Sequence, residues 1–587
     1  MRTTQLKLSA CLTIVAVIIG TMAVPAVASG EGEAKNIIVL VPDGCSQSVV
    51  TAARWYKGEP LHVDRYARGF VSTYMANSVI TGSAAAATAF ATGTKTTARF
   101  ISVGPRAEDV LENFPVPPES MEYRPLATVL EGAKLLGKST GLVATSRITH
   151  ATPAAYAAHI HDRGMDNEIM EHMVYEDVDV VFGGGKRHLL TEQQGGRRTD
   201  GQDLRQALID RGYQFVDNVA DFQALSSGKA WGMFADSHMA AEMDRVYYNL
   251  DEPSLAEMTQ KAIELLSQNS AGFFLMVEGS QVDWAGHAND PGYMVTDFLA
   301  FDEAFKAAID FAEQDGETLV LAFPDHNTGG MALGNRLCGS SSCYTTMTIE
   351  EMIGPLQGMQ ISSFALAGEI GDDLSPANIQ SKISEFWGID ITTEHAEDIL
   401  ALMDGGLTLD YAISTVVSDE YTYFGWTTYG HSGEDVPLWT FGPHRPVGLL
   451  DNTQLAKRVA GRFGFTIHAV DQILFADAAA YCPSCTLDES DPENPVLTDG
   501  NCSLETSKDI LHVDSLAMDI RLPGITVYAP MTGRTYIPLM AVALMDAFNG
   551  GAGVTNYQQI AEQRYRELVS QLNLDPSQVP AASYALD

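Results

Sequence analysis

Short apolar runs that alternate with helical patterns constrain the fold of this 587-residue chain more than any other feature. The runs occupy residues 36–41, 140–144, 178–182, 272–277 and 318–323. Each has the length of one strand and is mostly apolar, as in parallel strands buried on both faces. Patterns with helical spacing lie between them, for example at residues 254–267 and 297–313. The alternation predicts an α/β fold in which helices sandwich a mixed, largely parallel central sheet.

Acidic residues follow three of these runs closely. Asp43 follows the first run, Glu278 the fourth and Asp325 the fifth. In open parallel sheets, ligands bind beyond the carboxyl ends of the strands. We therefore expect these three carboxylates to converge at one edge of the sheet.

Histidines accompany the carboxylates at spacings suited to metal binding. Asp283 and His287 are four residues apart, so one helical turn would place both on the same face. His326 follows Asp325, and His431 lies in a glycine-flanked loop. Carboxylate and imidazole groups suit zinc. Each cluster alone is more often an ordinary surface group, so the prediction depends on their combination.

Ser83 lies in the small-residue run Thr81-Gly82-Ser83-Ala84, which leads into a stretch rich in alanine. A helix beginning here would present free N–H groups to an anion. Ser83 could then be a nucleophile, although small-residue packing explains the run equally well. Arg163 offers a planar fork for two phosphate oxygens, or else is a surface charge.

The formal charge of −39 excludes some partners. Such a surface repels nucleic acid and anionic membranes. It also repels phosphate esters at long range, so a phosphatase would need positive charge at its site from metals and arginine.

The first 28 residues have the pattern of a signal peptide. Arg2 and Lys7 precede a mostly apolar stretch at residues 12–24, and Ala26-Val27-Ala28 is a small-x-small cleavage site. We expect export to the periplasm or the medium, and no later segment is predicted to span a membrane.

Export permits disulfides among the cysteines that remain after cleavage. Cys338 and Cys343 are close enough in sequence to pair, as are Cys482, Cys485 and Cys502 in some combination. Cys482-Pro-Ser-Cys485 could alternatively be a redox or zinc motif.

Three segments follow the signal peptide. We expect an α/β domain whose first part is 29–343 and whose second part is 424–587. A helical insertion at 344–423 would act as a cap, crown or dimer element. Residues 482–507 are predicted to be an acidic, cysteine-containing surface loop, with calcium binding as an alternative.

The ordered set of motifs resembles that of alkaline phosphatases. It covers roughly residues 35–330 and 424–445. The motifs are Asp43-Gly44, Thr81-Gly82-Ser83-Ala84, Thr92-Gly93-Thr94-Lys95-Thr96, His150-Ala151-Thr152-Pro153 with Arg163, Gly183-Gly184-Gly185, Glu278-Gly279-Ser280 with Asp283 and His287, Asp325-His326, and His431-Ser432-Gly433 with Val436-Pro437.

The resemblance implies Ser83 as the nucleophile that forms a phosphoserine and Arg163 as the phosphate clamp. It implies a first zinc held by Asp283, His287 and His431. It implies a second zinc held by Asp43, Asp325 and His326, with Ser83 beside it. It implies a magnesium site formed by Asp43, Thr152 and Glu278, with His150 beside it.

The chain departs from the family pattern at a few positions. Gly82 stands where the family usually has an aspartate that helps to hold the clamp arginine. His150 and Trp284 occupy positions that vary between family branches and tune the magnesium site and phosphate affinity. Family members with a calcium site draw carboxylates from a middle segment, where this chain has Asp236 and Asp251; the full set is not matched.

The sequence therefore predicts an exported enzyme that hydrolyses small phosphate monoesters with two zinc ions and one magnesium ion. The resemblance implies a homodimer. The alternatives are a phosphodiesterase or sulfatase of the same superfamily, or a non-catalytic surface protein on this scaffold. Arg163 and the third metal site favour the monoesterase.

Overall fold

The computed structural model describes residues 34–339, 342–572 and 574. The predicted signal peptide at residues 1–28 lies outside the described residues. Within the described part of the chain, no helix is both long enough and apolar enough to cross a membrane.

A ten-stranded sheet forms the centre of the molecule. Its strands are β1 (Asn36–Pro42), β2 (Ala67–Ser72), β3 (Ser139–Arg147), β4 (Val180–Gly184), β5 (Gln214–Val216), β6 (Ala230–Ala235), β7 (Phe273–Gly279), β8 (Thr318–Ala322), β9 (Val436–Phe441) and β10 (Gly448–Asp451). Their spatial order is β10-β2-β9-β8-β1-β7-β3-β4-β6-β5. Strand β9 runs antiparallel to both neighbours, and the other pairings of this sheet are parallel. The predicted α/β class and mixed, largely parallel sheet are therefore confirmed.

The sequence of β1 shows why the sheet is covered on both faces. Ile37, Val39 and Val41 belong to one apolar core. Ile38 and Leu40 belong to the other core. Successive side chains of a strand point to opposite faces, so a fully apolar strand needs helices on both sides.

Helices supply both covering layers. The first core includes side chains from Ser83–Thr92, Val129–Leu135, Asp166–Tyr175 and Asn452–Phe463. The second core includes side chains from Gln47–Lys57, Leu255–Leu266 and Pro291–Asp315.

Residues 344–423 are mainly helical. The helices are Ser342–Thr346, Ile349–Gln357, Ser363–Ile370, Pro376–Trp387, Thr393–Asp404 and Leu409–Tyr421. Their apolar side chains join the second core rather than forming a separate one, and Trp387 is 1% exposed there. The segment is therefore packed onto one face of the sheet.

The predicted acidic loop at 482–507 contains short strands as well as turns. Three parts of it, Thr486–Asp488, Val496–Thr498 and Cys502–Glu505, are strands of a five-stranded antiparallel sheet. The sheet continues with Ile510–Val513 and Met518–Arg521. Leu504, Leu511 and Val513 are buried on one side, while polar residues alternate with them. This period-two pattern produces strands despite the acidic turns between them.

Two disulfides are present, Cys338–Cys343 and Cys482–Cys485. In the second one Cys482 and Cys485 are joined to each other, so neither offers a thiolate to zinc in this structure. Cys45 and Cys502 are buried free thiols.

Candidate metal centre and active site

Three adjacent parallel strands deliver carboxylates to one edge of the sheet. Strand β1 pairs with β7 on one side and with β8 on the other. Asp43 follows β1 directly, Glu278 lies at the end of β7, and Asp325 follows β8 by three residues. All three are buried, and Asp43 lies in one donor cluster with Asp325 and in another with Glu278, so the carboxylates converge at this edge as expected.

The first donor cluster combines Asp283, His287 and His431. Asp283 and His287 lie one turn apart on the helix Gln281–Ala288, with 3.4 Å between Oδ2 and Nε2. His431 comes from the short strand His431–Ser432, and its Nε2 is 3.7 Å from Asp283 Oδ1 and 3.3 Å from His287 Nε2. The donor atoms of the three residues lie within 4.8 Å of one another.

Backbone carbonyls orient both of these imidazole rings. His287 Nδ1 is 2.5 Å from the carbonyl oxygen of Tyr429, and His431 Nδ1 is 2.8 Å from that of Thr81. Each Nδ1–H donates to its carbonyl, so each Nε2 is left with a lone pair facing Asp283. This is the outer-shell arrangement that metal-binding histidines require.

The second donor cluster combines Asp43, Asp325 and His326, all fully buried. His326 Nε2 is 3.5 Å from Asp43 Oδ1 and 3.0 Å from Asp325 Oδ2. Ser83 Oγ is 3.2 Å from the same nitrogen. The serine hydroxyl therefore lies beside the donor atoms of this cluster.

The third donor cluster combines Asp43, His150 and Glu278, with Thr152 buried close by in sequence. Ser146 and Ser280 donate hydrogen bonds to Glu278 Oε2 at 3.2 and 2.7 Å, which leaves Oε1 without a protein partner.

Unpartnered buried oxygens test whether cations fit this region. Among the described residues they include both carboxylate oxygens of Asp43, Asp325 Oδ2, Glu278 Oε1 and Thr152 Oγ1. Leaving such groups buried and unpaired costs about 1–3 kcal/mol each, more for charged groups. The residues present fit divalent cations, which would pair with these oxygens.

Electrostatic repulsion leads to the same conclusion. Burial raises the pKa of Asp43 well above its usual value, and the charges of Asp325 and Asp283 raise it further. Burial is also the main cause that raises the pKa of Glu278, to about 7. Positive charge in the site would allow both carboxylates to ionise.

Ser83 opens the helix Ser83–Thr92 and is 2% exposed. Its cap is Gly82, in extended backbone. The four alanines that follow Ser83 are buried, so small side chains allow this helix to pack closely. The first N–H groups of the helix have no partner within it and favour an anion beside Ser83.

Arg163 lies half-buried next to the third cluster. Its Nη2 is 2.7 Å from His150 Nε2, so the guanidinium donates and the imidazole accepts. Burial lowers the pKa of His150 well below its ordinary value, and Arg163 lowers it further. His150 is therefore neutral, and its ring centroid lies 5.6 Å from that of Trp284.

The structure brings all ten predicted metal-site residues and Arg163 into one region, but several supporting residues were missed. Thr328 Oγ1 donates to Asp283 Oδ1 at 2.5 Å and lies 3.2 Å from His326 Nδ1. At Gly44 the φ is +73°, and a Cβ there would lie 2.7 Å from the Asp283 Cα. The Gly44 motif was a usable signal, whereas Thr328 had none beyond its place after Asp325-His326.

The structure gives no support to the alternative calcium sites suggested by the sequence. Within the described residues, no group of three or more clustered His, Cys, Asp or Glu side chains includes Asp236, Asp251 or the acids of 482–507. Asp236 is instead 3.7 Å from Lys186 Nζ.

Comparison with known proteins identifies the family to which the chain belongs. The alkaline phosphatase family model matches residues 34–463. Alkaline phosphatase 3 of Bacillus subtilis is 34% identical over 461 residues, covering 75% of this chain and 92% of the relative. The repressible alkaline phosphatase of Saccharomyces cerevisiae is 32% identical over 456 residues, covering 71% and 77%.

Solved structures agree. The cold-active alkaline phosphatase of Shewanella sp. has a TM-score of 0.60 at 30% identity and covers 72% of this chain and 98% of its own. The Thermus thermophilus enzyme has a TM-score of 0.65 at 27% identity and covers 74% and 92%.

The fold, the donor clusters and these relatives define a metal-dependent phosphomonoesterase. The chain belongs to the alkaline phosphatase family, as the motifs predicted.

Proposed function

We propose that the chain hydrolyses phosphate monoesters through a phosphoserine at Ser83, with two zinc ions and one magnesium ion. The observation that carries the proposal is the position of Ser83. Its Oγ is 3.2 Å from His326 Nε2, within the second donor cluster and at a helix N-terminus.

Ligand chemistry supports the assignment of the ions. Asp283, His287 and His431 would hold one zinc, and Asp43, Asp325 and His326 the other, since imidazole and carboxylate suit zinc. Oxygen ligands suit magnesium, so Asp43, Thr152 and Glu278 would hold it, with His150 beside them. A variant of the Antarctic bacterium TAB5 enzyme, 26% identical with a TM-score of 0.51, has magnesium bound in its M3 site. When bound, such cations neutralise charge on the attacking and leaving oxygens of phosphoryl transfer.

The residues of the chain would act in two stages. Ser83 Oγ attacks phosphorus, so the Oγ–P bond forms, the ester P–O bond breaks, and the leaving oxygen takes a proton. Water then attacks the phosphoserine phosphorus, the Oγ–P bond breaks, and Ser83 Oγ takes a proton from the water as phosphate is released. Arg163 would bind two of the phosphate oxygens and orient the group for both attacks.

Two alternatives remain as outcomes of an assay. A phosphodiesterase or sulfatase would turn over a diester or a sulfate ester faster than a monoester. A non-catalytic scaffold would turn over none of them. The presence of Arg163 and of the third donor cluster favours the monoesterase.

Ser83→Ala tests the nucleophile. We expect no covalent phosphoenzyme and a loss of most monoester turnover, because the covalent route is closed. Quenching with labelled phosphate at acid pH should label Ser83 in the parent protein. Label on another residue would remove Ser83 from the role.

We further propose export, from the signal-peptide pattern at 1–28, and a homodimer, from the family resemblance. Light scattering of the purified protein would give a mass near 63 or near 126 kDa, based on the 63.3 kDa chain including the signal peptide. A monomeric mass would reject the dimer. Sequencing the N-terminus of protein collected outside the cytoplasm would test the cleavage site.

A further inference from the structure

The carboxyl edge of the sheet continues beyond the metal centre into a basic half. Strands β3, β4 and β6 follow β7 in the sheet and run parallel to one another. Arg147 is the last residue of β3, Arg187 follows β4 by three residues, and His238 follows β6 by three residues. The same geometry that gathers carboxylates on one side gathers these basic groups on the other.

A continuous series of side chains connects this basic half to the phosphate clamp. Arg163 Nη2 is 2.7 Å from His150, and the His150 ring centroid is 5.8 Å from that of His238. His238 Nε2 is in turn 2.6 Å from Arg147 Nη1. The Trp284 ring packs edge-on against His238, with 4.1 Å between centroids.

These groups remain reachable from solvent. Arg163, His238, Trp284 and Arg187 are half-buried, and the Arg147 side chain is 18% exposed. His238 and Trp284 pack against His150, which contacts Arg163, so we take these half-buried groups as the wall of the candidate active site next to the clamp.

The charge balance of the wall leaves it positive. Asp166 compensates Arg147, accepting from Nε at 2.7 Å. Arg187 has a neutral neighbour instead, since its Nε donates to His188 Nε2 at 3.1 Å. The His238 ring is neutral, since burial lowers its pKa to about 3, and Asp166 Oδ2 lies 4.0 Å from His188 Nε2. The one carboxylate therefore serves both arginines, and a bound anion would balance the remaining positive charge. The chain as a whole has a formal charge of −39, so a positively charged wall is unusual on its surface.

We propose that Arg147 and Arg187 form a second anion subsite, with His238 holding the Arg147 guanidinium in place, and that the enzyme prefers phosphate monoesters carrying a second phosphate group. One phosphate would occupy the clamp at Arg163 while the other binds this subsite. The inference rests on the proposed function, because it assumes that the first phosphate is the one hydrolysed. A purely scaffolding role accounts for the Arg147–Asp166 pair but gives no reason for Arg187 beside it.

The test compares two substrates on the metal-loaded, full-length protein. Propyl phosphate carries one phosphate, and propane-1,3-diyl bisphosphate carries two on the same carbon chain. We expect the parent protein to show a kcat/KM about tenfold higher for the bisphosphate, the size of one charge-assisted hydrogen bond pair. Arg187→Gln should lower this ratio about fivefold or more.

Arg197→Gln is the matched control, since it removes one exposed positive charge from the same segment. Its ratio should equal that of the parent. An unchanged ratio in Arg187→Gln would overturn the subsite. An equal fall in both variants would also overturn it, because the general field would then be the cause. Failure of the parent to hydrolyse propyl phosphate would reject the proposed function instead.

Inhibition of the parent protein gives a test that needs no variant. Propane-1,3-diphosphonate should compete about tenfold more tightly than propylphosphonate. Equal inhibition by the two phosphonates would overturn the proposal. It would do so even if the subsite bound free inorganic phosphate, because the proposal requires a second phosphate on the same substrate.

Discussion

Gly82 is the residue at which this chain departs most clearly from its family pattern. Its backbone is extended, with a φ of −112°, and a Cβ there would meet nothing within 4 Å. Arg163 contacts His150, and Gly82 has no side chain that could accept a hydrogen bond from it. The position can therefore accept a larger residue without strain, which makes its effect on the clamp testable.

Gly82→Asp should tighten phosphate binding and lower the maximal rate. The new carboxylate would accept hydrogen bonds from Arg163 and hold it ready for phosphate, so product release would slow. We expect the inhibition constant for phosphate to fall by about tenfold. Steady-state kinetics with phosphate titrated in would measure it, with Gly82→Asn as the neutral control. Equal inhibition of the parent and the Asp variant would mean that another residue already restrains Arg163.

His431→Ala should remove one zinc ion per chain and leave the fold intact. His431 supplies one of three donors in the first cluster, from a strand of only two residues. Metal analysis after dialysis would report the zinc content. His468→Ala is the control, because His468 is exposed and lies outside the clusters. Unchanged zinc in His431→Ala would remove this residue from the site.

At the scale of elements, the segment 344–423 is packed into the core and is not a separate unit joined only through its ends. Trp387 Nε1 donates to the Ile361 carbonyl oxygen at 2.7 Å inside the second core. Asp244 and Asp290 accept from the backbone N–H groups of Ser362 and Ser363 at 2.7 and 2.9 Å. Replacing the segment with a linker would expose core side chains, so single substitutions are the cleaner test of its role.

Trp387→Ala should destabilise the protein by about 3–5 kcal/mol, because it leaves a cavity and an unpaired carbonyl. Zinc content and monoester turnover of the folded fraction should stay near parent values, since the segment is predicted to take no part in the chemistry. Urea unfolding and metal analysis on the same samples would check both. Loss of zinc from folded Trp387→Ala would contradict the prediction.

The five apolar runs predicted as strands are strands, because burial on both faces leaves a continuous apolar signal. Other strands of the sheet lack that signal. Strand β2 contains charged and exposed residues next to Val71, and Pro437 interrupts β9. Their pairing depends on neighbours distant in sequence, which periodicity does not report.

In the candidate site too, some residues could be predicted from nearby sequence, whereas others depend on the order of the strands in the sheet. Asp43, Glu278 and Asp325 were predictable from the strand ends, and the remaining ligands from the family motifs. His238 and Arg187 were not, since each follows a strand by three residues with no motif to mark it. Only the order of β3, β4 and β6 in the sheet brings His238 beside His150 and Arg187 to the same edge.

For the whole molecule, the bound cations should contribute to stability as well as to chemistry. Without the cations, Asp283 contacts only the imidazoles of His287 and His431 within its cluster, and several buried carboxylate oxygens lack a hydrogen-bond partner. A ligand that binds only the folded state stabilises it in proportion to its occupancy. Chelation should therefore lower the free energy of unfolding, and the loss should depend on pH.

His287 contributes to the pH dependence of the metal-free protein, alongside Asp43 and Glu278, whose raised pKa values also cost stability as pH rises. Burial opposes the charge of His287, but the neighbouring Asp283 overcomes this and raises the pKa of His287 to about 9. A raised histidine pKa gives stability that is complete below the unfolded value near 6.5 and is lost as pH rises through about 9. The pKa values of His150 and His431 are lowered, so both are neutral when folded, and they add no slope once the unfolded imidazoles have lost their protons about one pH unit above 6.5.

Between pH 6.5 and 9, the chelated protein should lose up to about 3 kcal/mol of unfolding free energy from His287. The metal-loaded protein should not show this loss, because zinc binds the neutral imidazole. Urea unfolding at both pH values, with and without metals, would measure the difference. His287→Gln should reduce the slope of the chelated protein, leaving the part that comes from Asp43 and Glu278. A chelated parent whose stability stays constant or rises over this range would show that Asp283 does not hold a protonated His287.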